Sequence, residues 1–362
     1  MTNQKKIKLV LEDGTEYAGT SFGSFNSVSG EVVFNTSMTG YPESLTDPSY
    51  KGQILTLTYP LIGNYGVPGD EKENGLYKFY ESESIHISGL IVSDYSFEYN
   101  HWNAKLSLAE WLKSHKIPAI TGIDTRALTK RLREKGTMLG KIICDDKDVK
   151  LFDPGKVNLV AKVSIKEKQV YGNGKYKIVL IDCGVKFNII RKLIQRDCTV
   201  TCVPWDYDFN NDSYDGLVIS NGPGDPKMCT DTIRNLSKAY SKNIPIFGIC
   251  QGNHLMGLAA GADTYKLKYG HRSHNQPVLK VGTNKAYVTS QNHGYAINNH
   301  TLPKDWEPLF LNLNDNTNEG IRHKTKPFFS SQFHPEASSG PTDTEFLFDD
   351  FIDSIKSYKK SV

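Results

Sequence analysis

The second half of the chain alternates short, continuously apolar runs with amphipathic stretches, and that pattern leaves few folds open. Lys177–Asp182 (Lys-Ile-Val-Leu-Ile-Asp) reads as a strand covered on both faces, and Thr199–Pro204, Gly216–Ser220 and Pro245–Ile249 as further strands. Asn188–Gln195, Asp231–Lys242 and Asn253–Ala260 carry helical spacing between or after them. Parallel strands need crossover connections, so the expectation is an α/β domain with a mostly parallel sheet flanked by helices. Ala286–Thr289 and Pro327–Phe333 read as later strands, and Phe346–Ile355 as a closing helix.

The first half has a different texture. Lys8–Leu11 and Glu16–Ala18 flank Asp13-Gly14, a hairpin signal, and Glu31–Thr36 and Gln53–Thr58 are further β-rich runs. Leu106–His115 and Thr125–Lys135 read as helices, the second with Leu128 and Leu132 on one face and Gly136 as its stop. Arg126, Lys130, Arg131, Arg133 and Lys135 make that helix basic, which suits either a solvated face or a docking surface. A polar stretch holding Gly172 and Gly174 separates the halves. The expected organisation is therefore a separate β-rich α/β N-terminal domain at 1–155, a linker at 156–175 and the parallel-sheet domain at 176–357. Two domains also suit a length of 362 residues.

Composition excludes some classes of function. A net charge of +3 gives no reason to expect nucleic acid or an anionic membrane as partner. No stretch reaches the ~18 apolar residues of a membrane helix, and Met1–Val10 has no apolar core of a leader peptide. Six cysteines are scattered without a C-x-x-C pair, so neither a zinc site nor a dithiol motif is expected, and a reducing, cytoplasmic setting is. Cys198 and Cys202 read as buried side chains on one face of a strand.

Three segments carry chemistry. Pro245-Ile-Phe-Gly-Ile-Cys-Gln-Gly (245–252) ends a buried strand on Cys250 and turns at once into a helix. That is the geometry of a nucleophile elbow, with Gly248 and Gly252 allowing the close approach and the helix N-terminus favouring thiolate. A buried structural cysteine is the competing reading. Phe-His-Pro-Glu (333–336) follows another strand-like run. If extended backbone persists through Pro335, His334 and Glu336 fall on one side, and a carboxylate-held imidazole is able to move protons around a thiol. Alone, the pair equally suits a surface histidine, and its spacing suggests no third metal ligand. Ser-Asn-Gly-Pro-Gly-Asp-Pro (220–226) lets backbone amides approach a ligand, as an oxyanion hole or as a bare turn. Gln-Asn-His-Gly-Tyr (291–295) reads as a polar loop, either the wall of a small-substrate pocket or an ordinary turn.

Together these motifs resemble the triad-type, class I glutamine amidotransferases. Gly-Glu-Val-Val-Phe-Asn-Thr-Ser-Met-Thr-Gly-Tyr (30–41), Leu-Thr-Asp-Pro-Ser-Tyr (45–50), Leu-Thr-Tyr-Pro-Leu-Ile-Gly-Asn (57–64) and Gly-Ile-Asp-Thr-Arg-Ala-Leu-Thr (122–129) narrow the resemblance to the small subunit, or small-subunit domain, of carbamoyl-phosphate synthetases. It covers essentially the whole chain. It implies Cys250 as nucleophile, His334 as base and Glu336 as its orienter. It further implies Gly224 and the amide of Gln251 at the oxyanion, and Ser49, Gly222, His254, Asn292, Gly294 and Tyr295 around L-glutamine. No cofactor or metal is implied, since ATP binds the partner, a large synthetase subunit or fused synthetase domain. A non-catalytic regulatory domain of an ammonia-dependent synthetase is the alternative. The family usually reads Cys-Leu-Gly-His-Gln at the elbow. Here Gln251, Asn253 and His254 depart from it, and a ring at 254 in place of a carboxamide predicts a weaker hold on glutamine.

Overall fold

The structure is a computed structural model and describes residues 5–361. Residues 1–4 and 362 lie outside it, and with them the start of the segment read for a leader. The described residues divide into two compact units, 5–73 with 77–157 and 158–361 with 74–76.

The N-terminal unit is built on a closed barrel in the order Lys6–Leu11, Met138–Cys144, Val28–Asn35, Gln53–Leu57, Gly89–Ile91, Ala119–Thr121, Glu16–Ser21. The hairpin at Asp13-Gly14 is present: Gly14 takes φ +82°, and Asp13 Oδ1 accepts from the Thr15 amide at 3.1 Å. The Thr125–Lys135 helix is capped by Asp124, whose Oδ1 accepts from the Ala127 amide at 2.8 Å, and it buries Leu128 and Leu132. Arg126, Lys130, Arg133 and Lys135 are exposed, while Arg131 pairs with Asp13. Ser49 lies in this unit, buried in the short Pro48–Tyr50 turn.

The C-terminal unit is a ten-stranded mixed sheet. Its parallel part runs Cys198–Pro204, Tyr176–Asp182, Gly216–Ile219, Ile246–Ile249, Phe328–Ser331. The helices Phe187–Ile194, Thr230–Ala239 and Gln251–Ala260 alternate with these strands, as their spacing predicts. The closing helix runs Phe346–Ser361, and Phe348 and Phe351 pack on Phe247 of a central strand. Among the described residues no helix is long and apolar enough to cross a membrane.

Two expectations need correction. The stretch 156–175 is not a bare linker. It holds a helical turn, Val160–Val163, and an edge strand, Gln169–Tyr171, paired antiparallel with Cys198–Pro204. An edge strand facing solvent needs no apolar run, so its polarity hid it. The stretch 291–295 is not a loop either, because it continues the strand Ala286–Ile297, which pairs with the 17-residue strand Thr264–Lys280. That pairing fixes an alternation the sequence alone does not reveal. Gln291 and His293 are buried on one face, and Asn292 and Gly294 lie on the other, half-buried.

Candidate active site

The elbow forms where glycines remove obstruction. A Cβ on Gly252 would lie 2.3 Å from the Ile219 carbonyl oxygen, and one on Gly248 would lie 2.7 Å from the Gly252 backbone. Only with hydrogen at both positions does the Gln251–Ala260 helix start this close to the sheet. Cys250 makes the turn at φ +55°, ψ −100°, a conformation disfavoured for any residue with a Cβ and found where surrounding structure enforces it. Its amide donates to the Ser331 carbonyl at 2.8 Å, and its carbonyl accepts from the Asn253 amide at 3.0 Å. The sulfur is buried at the N-terminus of that helix. It sits 3.8 Å from the Asn292 carbonyl oxygen and 3.7 Å from Gln332 Nε2.

The His334 amide donates to the Ser290 carbonyl at 2.9 Å, which ties the imidazole to the Ala286–Ile297 strand. The extended backbone expected through Pro335 is absent. Pro335-Glu336 is a turn closed by the Ala337 amide on the His334 carbonyl at 3.1 Å. The turn still brings the side chains together, with His334 Nδ1 and Glu336 Oε1 2.6 Å apart and both fully buried. With Nδ1 committed to the carboxylate, Nε2 is the nitrogen left for proton transfer. Burial alone would strip charge from the ring, but Glu336 and Cys250 outweigh it and raise the imidazole to about 10. Burial likewise opposes charge on Glu336, yet Lys186 and His334 hold its carboxyl at about 2.

Lys186 is the residue that sequence reasoning missed. Its Nζ lies 3.1 Å from Glu336 Oε1 and donates to the Ala337 carbonyl at 2.5 Å, in a setting where neither charge meets water. The cradle segment fixes it in place. Ser220 Oγ accepts from the Cys183 amide at 2.9 Å and Asn221 Oδ1 accepts from the Lys186 amide at 3.0 Å. Ser220 and Asn221 thus hold the charge that holds the acid. In the same segment a Cβ on Gly222 would meet the Cys183 carbonyl oxygen at 2.1 Å, and Gly224 takes φ +84°. A second buried chain reaches the sulfur from below: Ser330 Oγ to Asn253 Oδ1 at 2.7 Å, Asn253 Nδ2 to Gln332 Oε1 at 2.8 Å, and Gln332 to Cys250.

Comparison with known proteins agrees along the whole chain. Residues 9–142 match the family described as carbamoyl-phosphate synthase small chain, CPSase domain, and residues 179–354 match glutamine amidotransferase class-I. The arginine-specific carbamoyl phosphate synthase small chain of Saccharomyces cerevisiae is 50% identical over 98% of this chain and 90% of its own length. The chain belongs to the carbamoyl-phosphate synthase small-chain family. The multifunctional protein CAD of Squalus acanthias is 54% identical over 98% of this chain, and carbamoyl-phosphate synthase (ammonia), mitochondrial, of Homo sapiens is 54% identical over 97%. The chain spans 16% of the former protein and 24% of the latter.

Within this small-chain fold the departure at position 254 has a structural meaning. His254 is buried and kept neutral, since desolvation lowers its ring to about 4. Its Nε2 bonds the Tyr295 carbonyl at 3.0 Å, and His293 Nδ1 bonds the same carbonyl at 2.8 Å. Two imidazoles therefore anchor one backbone oxygen of the strand bearing Asn292 and Gly294. Gln251 is buried beside them, its Oε1 3.4 Å from His254 Nδ1. The C-terminal unit thus brings Cys250, His334, Glu336, Gln251, His254 and the Asn292–Tyr295 stretch into one neighbourhood, while Ser49 belongs to the other unit.

Proposed function

We propose that this chain hydrolyses L-glutamine and passes the ammonia to a carbamoyl-phosphate synthetase large subunit or a fused synthetase domain. The observation that carries the reading is a cysteine forced to positive φ at a strand-to-helix elbow, beside a buried imidazole already charged by a carboxylate. His334 Nε2 already carries the proton, and the Cys250 sulfur attacks the carboxamide carbon of glutamine. The amides of Gly224 and Gln251 take up the oxyanion. The carbon–nitrogen bond breaks as His334 gives that proton to the leaving ammonia, and a γ-glutamyl thioester remains. His334 then takes a proton from water, the resulting hydroxide attacks the thioester, and glutamate leaves with the sulfur freed and the imidazole again protonated. Glu336 keeps Nδ1 protonated throughout, and Lys186 keeps Glu336 ionised. Gly222, Asn292, Gly294 and Tyr295 grip the substrate, with His254 acting on Tyr295 through its carbonyl. Ser49 is retained as a glutamine contact on the family resemblance alone.

One observation favours a second reading, a regulatory domain without catalysis: relatives of the same identity are named for ammonia. This chain retains cysteine, histidine and glutamate at all three triad positions, which supports hydrolysis. Radiolabelled L-glutamine, with acid-quenched protein-bound label and free glutamate both counted, separates the two. Covalent label and turnover in the wild type, both lost in Cys250→Ser, are expected. A folded wild-type protein that neither takes label nor releases glutamate leaves only the regulatory reading.

A further inference from the structure

On the far side of the Ala286–Ile297 strand from Asn292, the side chains of His271, His293, Glu319 and Gln291 converge. His271 and His293 are paired across adjacent strands, their rings perpendicular with centroids 4.9 Å apart. Glu319 comes from a third strand, Asn318–His323, and is fully buried. His271 Nδ1 lies 3.4 Å, and His293 Nε2 3.9 Å, from the same oxygen, Glu319 Oε1. The coordinating atoms of the three residues all fall within 4.8 Å of one another.

The far nitrogen of each ring faces an oxygen acceptor, which turns the other nitrogen inward. His271 Nε2 donates to Asp315 Oδ2 at 2.8 Å, so Nδ1 points inward, and it has no hydrogen-bond partner although buried. His293 Nδ1 lies 2.8 Å from the Tyr295 carbonyl, so Nε2 also points inward. That Nε2 faces Gln291 Oε1 at 3.1 Å, so the ring meets an oxygen acceptor at each nitrogen. Gln291 is not free to turn, because its Nε2 donates to Thr289 Oγ1 at 3.1 Å and to Glu319 Oε2 at 3.0 Å. Asn312 Nδ2 steadies the remaining carboxylate oxygen at 2.9 Å. Oxygen acceptors converging in a dry site are costly unless positive charge sits among them. Histidines whose second nitrogens donate to a carboxylate and a carbonyl are the usual outer support of a metal site.

We propose that His271, His293, Glu319 and the amide oxygen of Gln291 form a binding site for a divalent cation of the zinc class. Four-coordinate bonds of about 2.0–2.2 Å place neighbouring donors about 3.3–3.6 Å apart, and the separations of 3.4, 3.9 and 3.1 Å here bracket that range. The cation ties together three strands and, through His293 and Tyr295, stiffens the strand that carries Asn292. The inference does not depend on the glutaminase reading.

The test uses the chain in a Cys250→Ser background, so that the sulfur beside His334 cannot bind the probe. Zn²⁺ alone and Co²⁺ alone are the probes, and metal content is measured by plasma mass spectrometry after gel filtration. About one equivalent of zinc per chain is expected, with the visible absorption of four-coordinate cobalt on substitution and a Tm that rises with Zn²⁺. His271→Asn and Glu319→Gln should each weaken binding about 10- to 100-fold or more. A folded parent chain that retains less than about a tenth of an equivalent, with no Tm response to Zn²⁺, overturns the proposal. So does His271→Asn binding as tightly as its parent. The parent's own metal content and Tm decide the question should a variant fail to fold.

Discussion

Replacing Lys186 with Met isolates the electrostatic support of the active site, because it keeps the stem of the side chain and removes only the charge. At 3.1 Å from Glu336 Oε1, the pair attracts by about 5 kcal/mol at an effective dielectric constant of about 20. Desolvation of the lysine offsets part of that, and breaking a buried pair generally costs about 3–5 kcal/mol. His334 remains 2.6 Å from Glu336, which argues for the lower end, and loss of the donor to the Ala337 carbonyl adds about 1 kcal/mol. The expected loss of stability at pH 7 is about 3–4 kcal/mol. Its pH dependence has a definite sign. The Glu336 carboxyl is depressed from 4.5 to about 2, so the stabilisation it brings is complete above pH 4.5 and vanishes as pH falls through about 2. Without Lys186 the folded value moves back toward 4.5, so the deficit of the variant narrows as pH drops from 4.5 toward 2. Urea unfolding followed by circular dichroism, at pH 7 and pH 4, measures both. A deficit below about 1 kcal/mol, or one that stays constant with pH, would refute the view of Lys186 as the counter-charge of the triad.

Glu336→Gln should lower kcat by about 10³–10⁴ with little change in KM, as loss of the acid frees the imidazole to take the wrong tautomer; steady-state glutaminase kinetics measure it. With His334 as the proposed proton donor to ammonia, kcat/KM should fall on the alkaline side only as pH rises through about 10, and Glu336→Gln should bring that limb down. His254→Ala removes a 3.0 Å bond to the Tyr295 carbonyl and should raise the KM for glutamine about tenfold while kcat changes less; an unaltered KM argues against its positioning role. Gly252→Ala places a Cβ 2.3 Å from the Ile219 carbonyl oxygen and should cost about 1–3 kcal/mol, read as a lower Tm.

The elements legible in the sequence were those whose physics is local. Strands such as Tyr176–Asp182 and Ile246–Ile249 are buried on both faces and must be apolar throughout, so composition alone marks them. The elbow was legible because glycines at 248 and 252 have few other uses beside a cysteine. The contact of His334 with Glu336 was anticipated for the wrong reason: a turn makes it, not an extended strand. Thr264–Lys280 and Asn318–His323 were missed because their polar side chains pair across strands inside the unit, where a polar residue needs only a partner to be buried.

The sequence by itself determined the parallel strands, the strand-to-helix elbow at Cys250 and the nearness of His334 to Glu336, because each is written in residues a few positions apart, where spacing translates directly into geometry. Only the tertiary structure decided what stands behind them. Lys186 and Glu336 are 150 positions apart, as the residue numbers give, and His271, His293 and Glu319 sit on three separate strands. Their meeting is set by strand order and register, and no local pattern of amino acids records which distant charge will be buried against which.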